Sequence, residues 1–254
     1  MAHLQTRNLS KMAYLNLKAM RIPYRKESDR LHDNSITLTH PLKQFQAWFE
    51  EAVTCSGLYE ANAMVLSTVS KYLLTLFNRM LRSGRPSSRY VLLKGLDDRG
   101  FHFYTNSVSQ KGQDIAHNPK VCLLFYWEPL NRQVRIEGKA SLLPDIEAEE
   151  YFHTRSKKSQ ISAYVSQQSK PIESDRQILS AFEEAEKQFK DHEHIPKPET
   201  WVGYAVMPDR MEFWQGQTTR LHDRFLFFRP DDDKPISEFS KPCEEGWYCE
   251  RLAP

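Results

Sequence analysis

No stretch of this 254-residue chain reaches the roughly 18 consecutive apolar residues that a membrane-spanning helix needs. The glycine signatures of nucleotide sites are also missing. There is no G-x-G-x-x-G and no G-x-x-x-x-G-K-[ST], so a Rossmann or P-loop reading has no support. G-x-S-x-G, which would present a nucleophilic serine, does not occur either. Cysteine is scarce: Cys55, Cys122, Cys243 and Cys249 form no C-x-x-C pair, and no histidine stands at metal-partner spacing from them. They read as free thiols of a reducing compartment. His192 and His194 lie in "KDHEHIPKP", a charged helix end where solvation or a role at the C-terminal dipole is the simpler reading than a metal. A net charge of only +2 provides no strong global field for nucleic acid. The first twenty residues lack the apolar core and small-residue cleavage site of a secretory signal. They are acid-free and mildly basic, which leaves a mitochondrial leader as the alternative to the cytosolic default.

What is present is ordinary globular composition, 40% hydrophobic and 27% charged, with length for one large domain or two small ones. Residues 1–38 read as loosely ordered and carry a basic patch, "RIPYRKESDR". "PLKQFQAWFEEAVT" (41–54) predicts an amphipathic helix with proline in its first turn and Phe45, Trp48, Phe49, Ala52 and Val53 on one face. Strand-like runs follow: "AMVLSTVS", "SRYVLLKG", "GFHFYTN", "KVCLLFYW" and "RQVRIEGKASLL". Gly, Asp, Asn and Pro punctuate them, and "LDDRG" reads as a hairpin turn. "SQKGQDIAHNP" predicts a short helix. Two more helices are expected near 145–155 and 174–192, the second opened by a Ser174/Gln177 capping box and buried along Ile178, Leu179, Phe182, Ala185 and Phe189. Strands return at "WVGYAVMP", "RMEFWQG", "RFLFFRP" and "GWYCERL". Many short strands and few helices imply an antiparallel barrel with peripheral helices. "SKYLLTLFNRMLRSG" interrupts this scheme where a short turn should join two strands.

Four places carry potential chemistry. In "EFWQGQTTRLHDR", Arg220, His222 and Arg224 fall on alternate positions, which share a face in an extended segment and suit a phosphate or carboxylate. The plainer reading is a solvated edge strand. In "YFHTRSKKS", Tyr151, Arg155 and Ser159 are spaced i, i+4, i+8, one face of a helix, and offer several donors to a phosphate monoester. A solvated helix face is the plainer alternative. In "RPSSRYVLLKG", Lys94 closes an apolar strand at a glycine, although cations commonly flank strands. In "YTNSVSQKG", Ser109, Gln110 and Lys111 open a helix whose N-terminus is a ready anion site, although such caps are also common for structural reasons. Several separate anion-friendly patches fit a phosphorylated cofactor together with a phosphorylated substrate.

Taken together and in order, "FYWEPLNRQVRIEG", "YFHTRSKKSQI", "VSQQS", "MEFWQGQTTRLHDR" and "ERLAP" resemble the pyridoxine/pyridoxamine-5'-phosphate oxidase family over about residues 40–254. The resemblance implies a mainly β, FMN-binding split β-barrel with peripheral α-helices. It implies a homodimer with FMN at the subunit interface, and a flavin oxidoreductase of vitamin B6 metabolism making pyridoxal 5'-phosphate. By the same resemblance, Arg89, Tyr90, Val91, Leu92, Tyr104, Thr105, Gln110, Lys111, Gln133, Gln168, Ser169, Trp214 and Arg224 hold FMN. Gln110 stands where the family has an arginine of an Arg-Lys pair gripping the FMN phosphate; it keeps a donor and loses the charge. Lys94, Tyr151, Arg155 and Ser159 clamp the substrate phosphate. Arg220 and His222 face the substrate ring and are the catalytic candidates. Arg21 and Tyr24, in "RIPY", resemble an N-terminal Arg-x-x-Tyr that closes over the substrate.

The resemblance leaves gaps at 70–83 and in the late stretch 230–245; the first is an atypical insertion with Leu73, Leu74, Leu76, Phe77, Met80 and Leu81 to be covered. If residues 61–95 failed to form paired strands, the expected barrel would fall. Two competing readings stay open: a non-catalytic pyridoxal-phosphate or FMN-binding homologue impaired by the insertion and Gln110, and a split-barrel flavoprotein with another substrate. The intact Lys94, Tyr151, Arg155, Ser159, Arg220 and His222 favour the oxidase over the latter.

Overall fold

The computed structural model describes residues 39–70, 84–230 and 236–254. The N-terminal segment with Arg21 and Tyr24 and nearly all of the 70–83 insertion lie outside the described residues.

Helix α1 (Pro41–Thr54) forms as expected. The His40 side chain accepts from the Leu42 N–H, and Pro41 sits where no donor is needed. Phe45, Trp48 and Ala52 are buried, and burying a side chain such as Phe45 is worth about 2 kcal/mol. Val53, expected on the same face, is exposed because it lies one position past the buried stripe.

The strands are β1 (Ala63–Val69), β2 (Pro86–Leu92), β3 (Gly95–Asp97), β4 (Gly100–Asn106), β5 (Lys120–Trp127), β6 (Arg132–Leu142), β7 (Trp201–Gln215), β8 (Asp223–Phe228), β9 (Lys241–Pro242) and β10 (Tyr248–Arg251). They form one antiparallel sheet in the order β2-β1-β5-β6-β7-β8-β10-β9, with β4 joined to β3 and to β7. β1 and β2 pair over seven residues, Ala63 opposite Leu92 through Val69 opposite Pro86, so the strands flanking the insertion form as expected. Phe101, Phe103, Leu123, Phe125, Val134, Ile136, Met211 and Phe213 alternate into a core that α1 covers. The result is the expected split barrel.

β7 departs from expectation. The two strands expected at 201–208 and 210–216 are one 15-residue strand. Its first half pairs with β4 and its second with β8, while β6 runs alongside both. The division falls at Pro208, opposite a register shift at Glu137/Gly138. A proline is tolerated there because the bulge removes the need for a ladder donor. A Cβ at Gly138 would lie 2.2 Å from the Met207 carbonyl oxygen, so only glycine permits this approach.

Helices α2 (Gln110–His117), α3 (Asp145–Thr154), α4 (Lys157–Val165) and α5 (Asp175–Gln188) lie outside the sheet. The last three share a second small core of Phe152, Ile161, Ala185, Phe189 and Ile195. Helix α4 was not foreseen. The expected Ser174/Gln177 capping box of α5 is not made: Ser174 caps nothing with its side chain, and Gln177 accepts instead from the N–H of Glu173, the residue before the cap. Leu179 is exposed rather than buried, because only one side of α5 meets the protein.

Candidate active site

A cleft of about 660 Å³ opens between β2, the N-terminus of α2, the α3–α4 junction and the start of β7. Lys94, Arg89, Lys111 and Arg155 line it, and among the described residues no carboxylate does. Such a lining excludes cationic ligands and favours one or more anions.

Arg89 and Lys111 form one group. From the edge strand β2, Arg89 donates to Thr68 Oγ1 at 2.8 Å, to the Leu66 carbonyl at 3.2 Å and to Ser87 Oγ at 2.6 Å. Thr68 in turn donates to the buried Asp114 at 2.8 Å. Lys111, only 9% exposed, donates to Gln168 Oε1 at 2.9 Å and Ser109 Oγ at 3.3 Å. Burial, and then the neighbouring Arg89 guanidinium, push its ammonium down to about 8. Ser109 caps α2 by accepting from the Gly112 N–H. A Cβ at Gly112 would come within 2.3 Å of the Ser107 carbonyl oxygen, so glycine lets this helix start lie close to the loop before it.

Lys94, Tyr151, Arg155 and Ser159 form the second group. They share the cleft, but not the single helix face their spacing suggested. Helix α3 ends at Thr154, Arg155 is extended (φ −76°, ψ 153°), and Ser156 starts α4 by accepting from the Ser159 N–H at 3.3 Å. The corner brings the three side chains together where a straight helix would have left them strung along its length. Arg155 Nη1 is buried and has no hydrogen-bond partner. Burial lowers the guanidinium's affinity for its proton, which marks desolvation without a counter-charge. The Lys94 ammonium lies 5.9 Å from the Tyr151 ring centroid.

Tyr90, Val91, Leu92, Tyr104, Thr105 and Gln168 also line the cleft. Gln110 does not. Its amide turns away and donates to Asp114 Oδ1 at 2.9 Å, because that buried carboxylate is the nearest strong acceptor. Ser169 follows Gln168 in a left-handed turn (φ 71°) but does not line the cleft.

Gln133, Trp214, Arg224, Arg220 and His222 lie elsewhere. Gln133, Trp214 and Arg224 stand opposite one another across β6, β7 and β8, with Tyr126 next in the row on β5. Arg224 donates to Glu212 Oε1 and to the Ala253 carbonyl, both at 2.8 Å. The His222 ring lies 4.8 Å from that of Trp214. Its Nδ1 accepts from the Gln217 N–H at 3.0 Å, so the neutral ring carries its proton on Nε2. Burial, then Arg220, lower its pKa. The expected strict alternation of Arg220, His222 and Arg224 does not hold, since Arg220 sits in a left-handed turn (φ 69°) before β8 begins.

Residues that the sequence did not single out also line the cleft, among them Trp201, Ser156, Ser162 and Thr200. Trp201 opens a strand in a run of apolar residues and reads as core, so no pattern marked it. Among the described residues no group of three or more His, Cys, Asp or Glu could hold a metal.

The fold is a split barrel, and its cleft is lined by four cationic side chains. Residues 49–189 match the pyridoxamine 5'-phosphate oxidase family, and residues 201–254 match the pyridoxine 5'-phosphate oxidase C-terminal dimerisation region. A pyridoxine-5'-phosphate oxidase of Bos taurus is 47% identical over 247 residues, spanning 96% of this chain and 90% of that protein. A pyridoxine/pyridoxamine 5'-phosphate oxidase of Bombyx mori is 43% identical over 251 residues, 98% of this chain and 91% of that one. The crystal structure of PhzG from Burkholderia lata 383, in complex with tetrahydrophenazine-1-carboxylic acid, superposes with a TM-score of 0.73 at 25% identity, covering 89% of this chain and 98% of that one. The chain belongs to the pyridoxamine 5'-phosphate oxidase family and is an oxidoreductase of vitamin B6 metabolism.

Proposed function

We propose that the chain oxidises pyridoxine 5'-phosphate or pyridoxamine 5'-phosphate to pyridoxal 5'-phosphate, with FMN as cofactor. The observation that carries this reading is the cleft with four cations and, among the described residues, no carboxylate, in which Arg155 Nη1 is buried without a partner. Two phosphorylated ligands fit the two groups of donors. Lys111, Arg89 and Gln168, beside the N-terminus of α2, suit the FMN phosphate. Lys94, Tyr151, Arg155 and Ser159 suit the substrate phosphate. FMN would supply the acceptor for a hydride leaving C4' of the substrate, and O2 would then take the electrons as H2O2.

The chain's own residues would bind and orient. A substrate held by its phosphate is fixed in position, which converts part of the binding energy into alignment of the reacting carbon. His222, with its proton on Nε2, would donate a hydrogen bond from that atom to a ring substituent, while the proton leaving the C4' hydroxyl or amine would pass to water, and for the amine substrate water would then release ammonia. Arg220 would stabilise negative charge on the ring.

The row Gln133–Trp214–Arg224, with His222 beside it, does not line the cleft. The homodimer supplies the reason: one subunit's row would complete the other's cleft, with FMN between them. A cytosolic location belongs to the same proposal and rests on four free thiols; cell fractionation tests it.

The test is an absorbance spectrum of the purified protein, followed by pyridoxine 5'-phosphate under anaerobic conditions. A flavin band that bleaches supports cofactor, binding and hydride transfer together. A band that persists sinks the substrate assignment. No flavin, even after FMN is added, moves the reading to a non-catalytic binding protein.

A further inference from the structure

Trp201 is the one large aromatic of the cleft wall to which the family resemblance gave no role. The Arg155 guanidinium lies 4.3 Å from its ring centroid. Tyr104 and Tyr151 stack on each other at 4.1 Å, and both run nearly parallel to the indole, at 6.4 Å and 4° and at 6.5 Å and 14°. Phe152 meets it edge-on at 5.8 Å. The indole Nε1–H is buried without a partner, as is Arg155 Nη1.

An unpaired buried guanidinium nitrogen is costly and persists only where something else holds it. Among the described residues no carboxylate of the cleft does so. Arg155 is not held by a helix either, since it lies in the extended corner between α3 and α4. What lies against it is the Trp201 ring at 4.3 Å, with the Phe152 ring further off at 5.9 Å. A planar, delocalised guanidinium stacks well on an aromatic face, and an indole is the strongest such face. Stacking fixes the plane of the fork and leaves its edge free to donate. The parallel tyrosines prevent the indole itself from turning.

We propose that Trp201 is the positioning residue of Arg155: its ring sets the guanidinium plane so that the unpaired Nη1 edge meets the anionic group of the substrate. Trp201 therefore tunes affinity for phosphorylated ligands without touching the bond that changes. This inference rests on the reading of the cleft as a phosphate site.

The test uses the FMN-loaded protein, with steady-state kinetics on pyridoxine 5'-phosphate and calorimetric titration with inorganic phosphate. In Trp201→Leu, which is apolar but has no flat face, KM rises about tenfold while kcat stays within about twofold. Phosphate affinity falls in parallel. Trp201→Phe, which keeps a weaker face, recovers most of the loss, and it carries the test alone, through a rise of about threefold, should Trp201→Leu fail to fold. In an Arg155→Ala background, Trp201→Leu adds nothing further, because Trp201 acts through Arg155. Unchanged KM and phosphate affinity overturn the proposal, as does a loss that persists undiminished in the Arg155→Ala background. A wild-type protein that binds phosphate through Arg155 but fails to oxidise pyridoxine 5'-phosphate overturns the function and leaves the role of Trp201 standing.

Discussion

Lys111 shows how one side chain can report the ligand it awaits. Its ammonium is buried, faces Arg89, and is held near 8 rather than at the usual 10.5. An FMN phosphate beside it would restore the charge and raise the value. Below pH 8 the free protein already carries the proton, so affinity is insensitive to this group. Above pH 8 the proton must be taken up on binding, and FMN affinity falls about tenfold per pH unit until the bound form also titrates. Fluorescence-quenching titrations of FMN between pH 7 and 10 check this, and a flat profile contradicts it. The same shift has the opposite sign for the FMN-free protein. A lysine depressed on folding binds more protons when unfolded, so stability increases from about pH 8 towards 10.5. Lys111→Gln should remove the pH dependence and weaken FMN by about 10- to 100-fold, the value of a hydrogen bond to a charged group. At this scale the sequence was partly legible. Residue types and spacing marked separate anion-friendly patches, and only the family resemblance joined Arg89, Lys94, Lys111, Tyr151, Arg155 and Ser159 into one cofactor and substrate site, residues that line one cleft. Neither revealed that Gln110 turns to Asp114, because that choice depends on a buried acceptor brought close only by folding.

The elements were legible where one face is buried and the other wet. β1, β5 and β6 alternate cleanly, and α1 shows its stripe. Helix α4 was hidden because it buries little beyond Gln160 and Ile161, too few to impose a helical period. β7 was split in reading because Pro208 normally ends a strand, and only the bulge opposite it allows the strand to continue. The α3–α4 corner misled differently: i, i+4, i+8 spacing looks the same whether or not a helix continues. That corner can be tested. Ser156 caps α4 and its Oγ lies 2.8 Å from Ser159 Oγ. Ser156→Ala should cost about 1 kcal/mol by urea unfolding, the usual value of a lost N-cap. It should also raise KM for the phosphorylated substrate more than it lowers kcat, since Ser159 and Arg155 both depend on the corner. Wild-type stability and KM would show that the cap does not hold it.

For the whole molecule, the division of site residues into a cleft and a sheet-face row predicts complementation between chains. Arg155→Ala removes a cleft residue and Arg224→Ala a row residue. At substrate concentrations well below the raised KM, each variant alone should retain only a small, still measurable fraction of wild-type activity. A dimer containing one of each would have one site with both defects and one with neither. Random re-pairing after mixing should therefore return about a quarter of wild-type activity. No recovery, with mixed dimers confirmed by native mass spectrometry, would place each complete site within one chain. The dimer is also what the sequence could express only through resemblance, because outward-facing residues such as Tyr126 and Arg224 read as solvated until a second surface is considered.

β7 carries Trp201 at one end and Trp214 near the other, about 45 Å of extended chain at the ordinary rise of a strand. In the proposed dimer it serves two catalytic centres at once, acting as a ruler between them. A ruler tolerates repainting but not shortening: side chains along β7 can be exchanged where packing allows, yet deleting one residue would turn every side chain beyond the cut to the opposite face. Length variation among relatives should therefore be absent from 201–215 and collect between the strands. A library of single-residue deletions should contain no active clone within that strand.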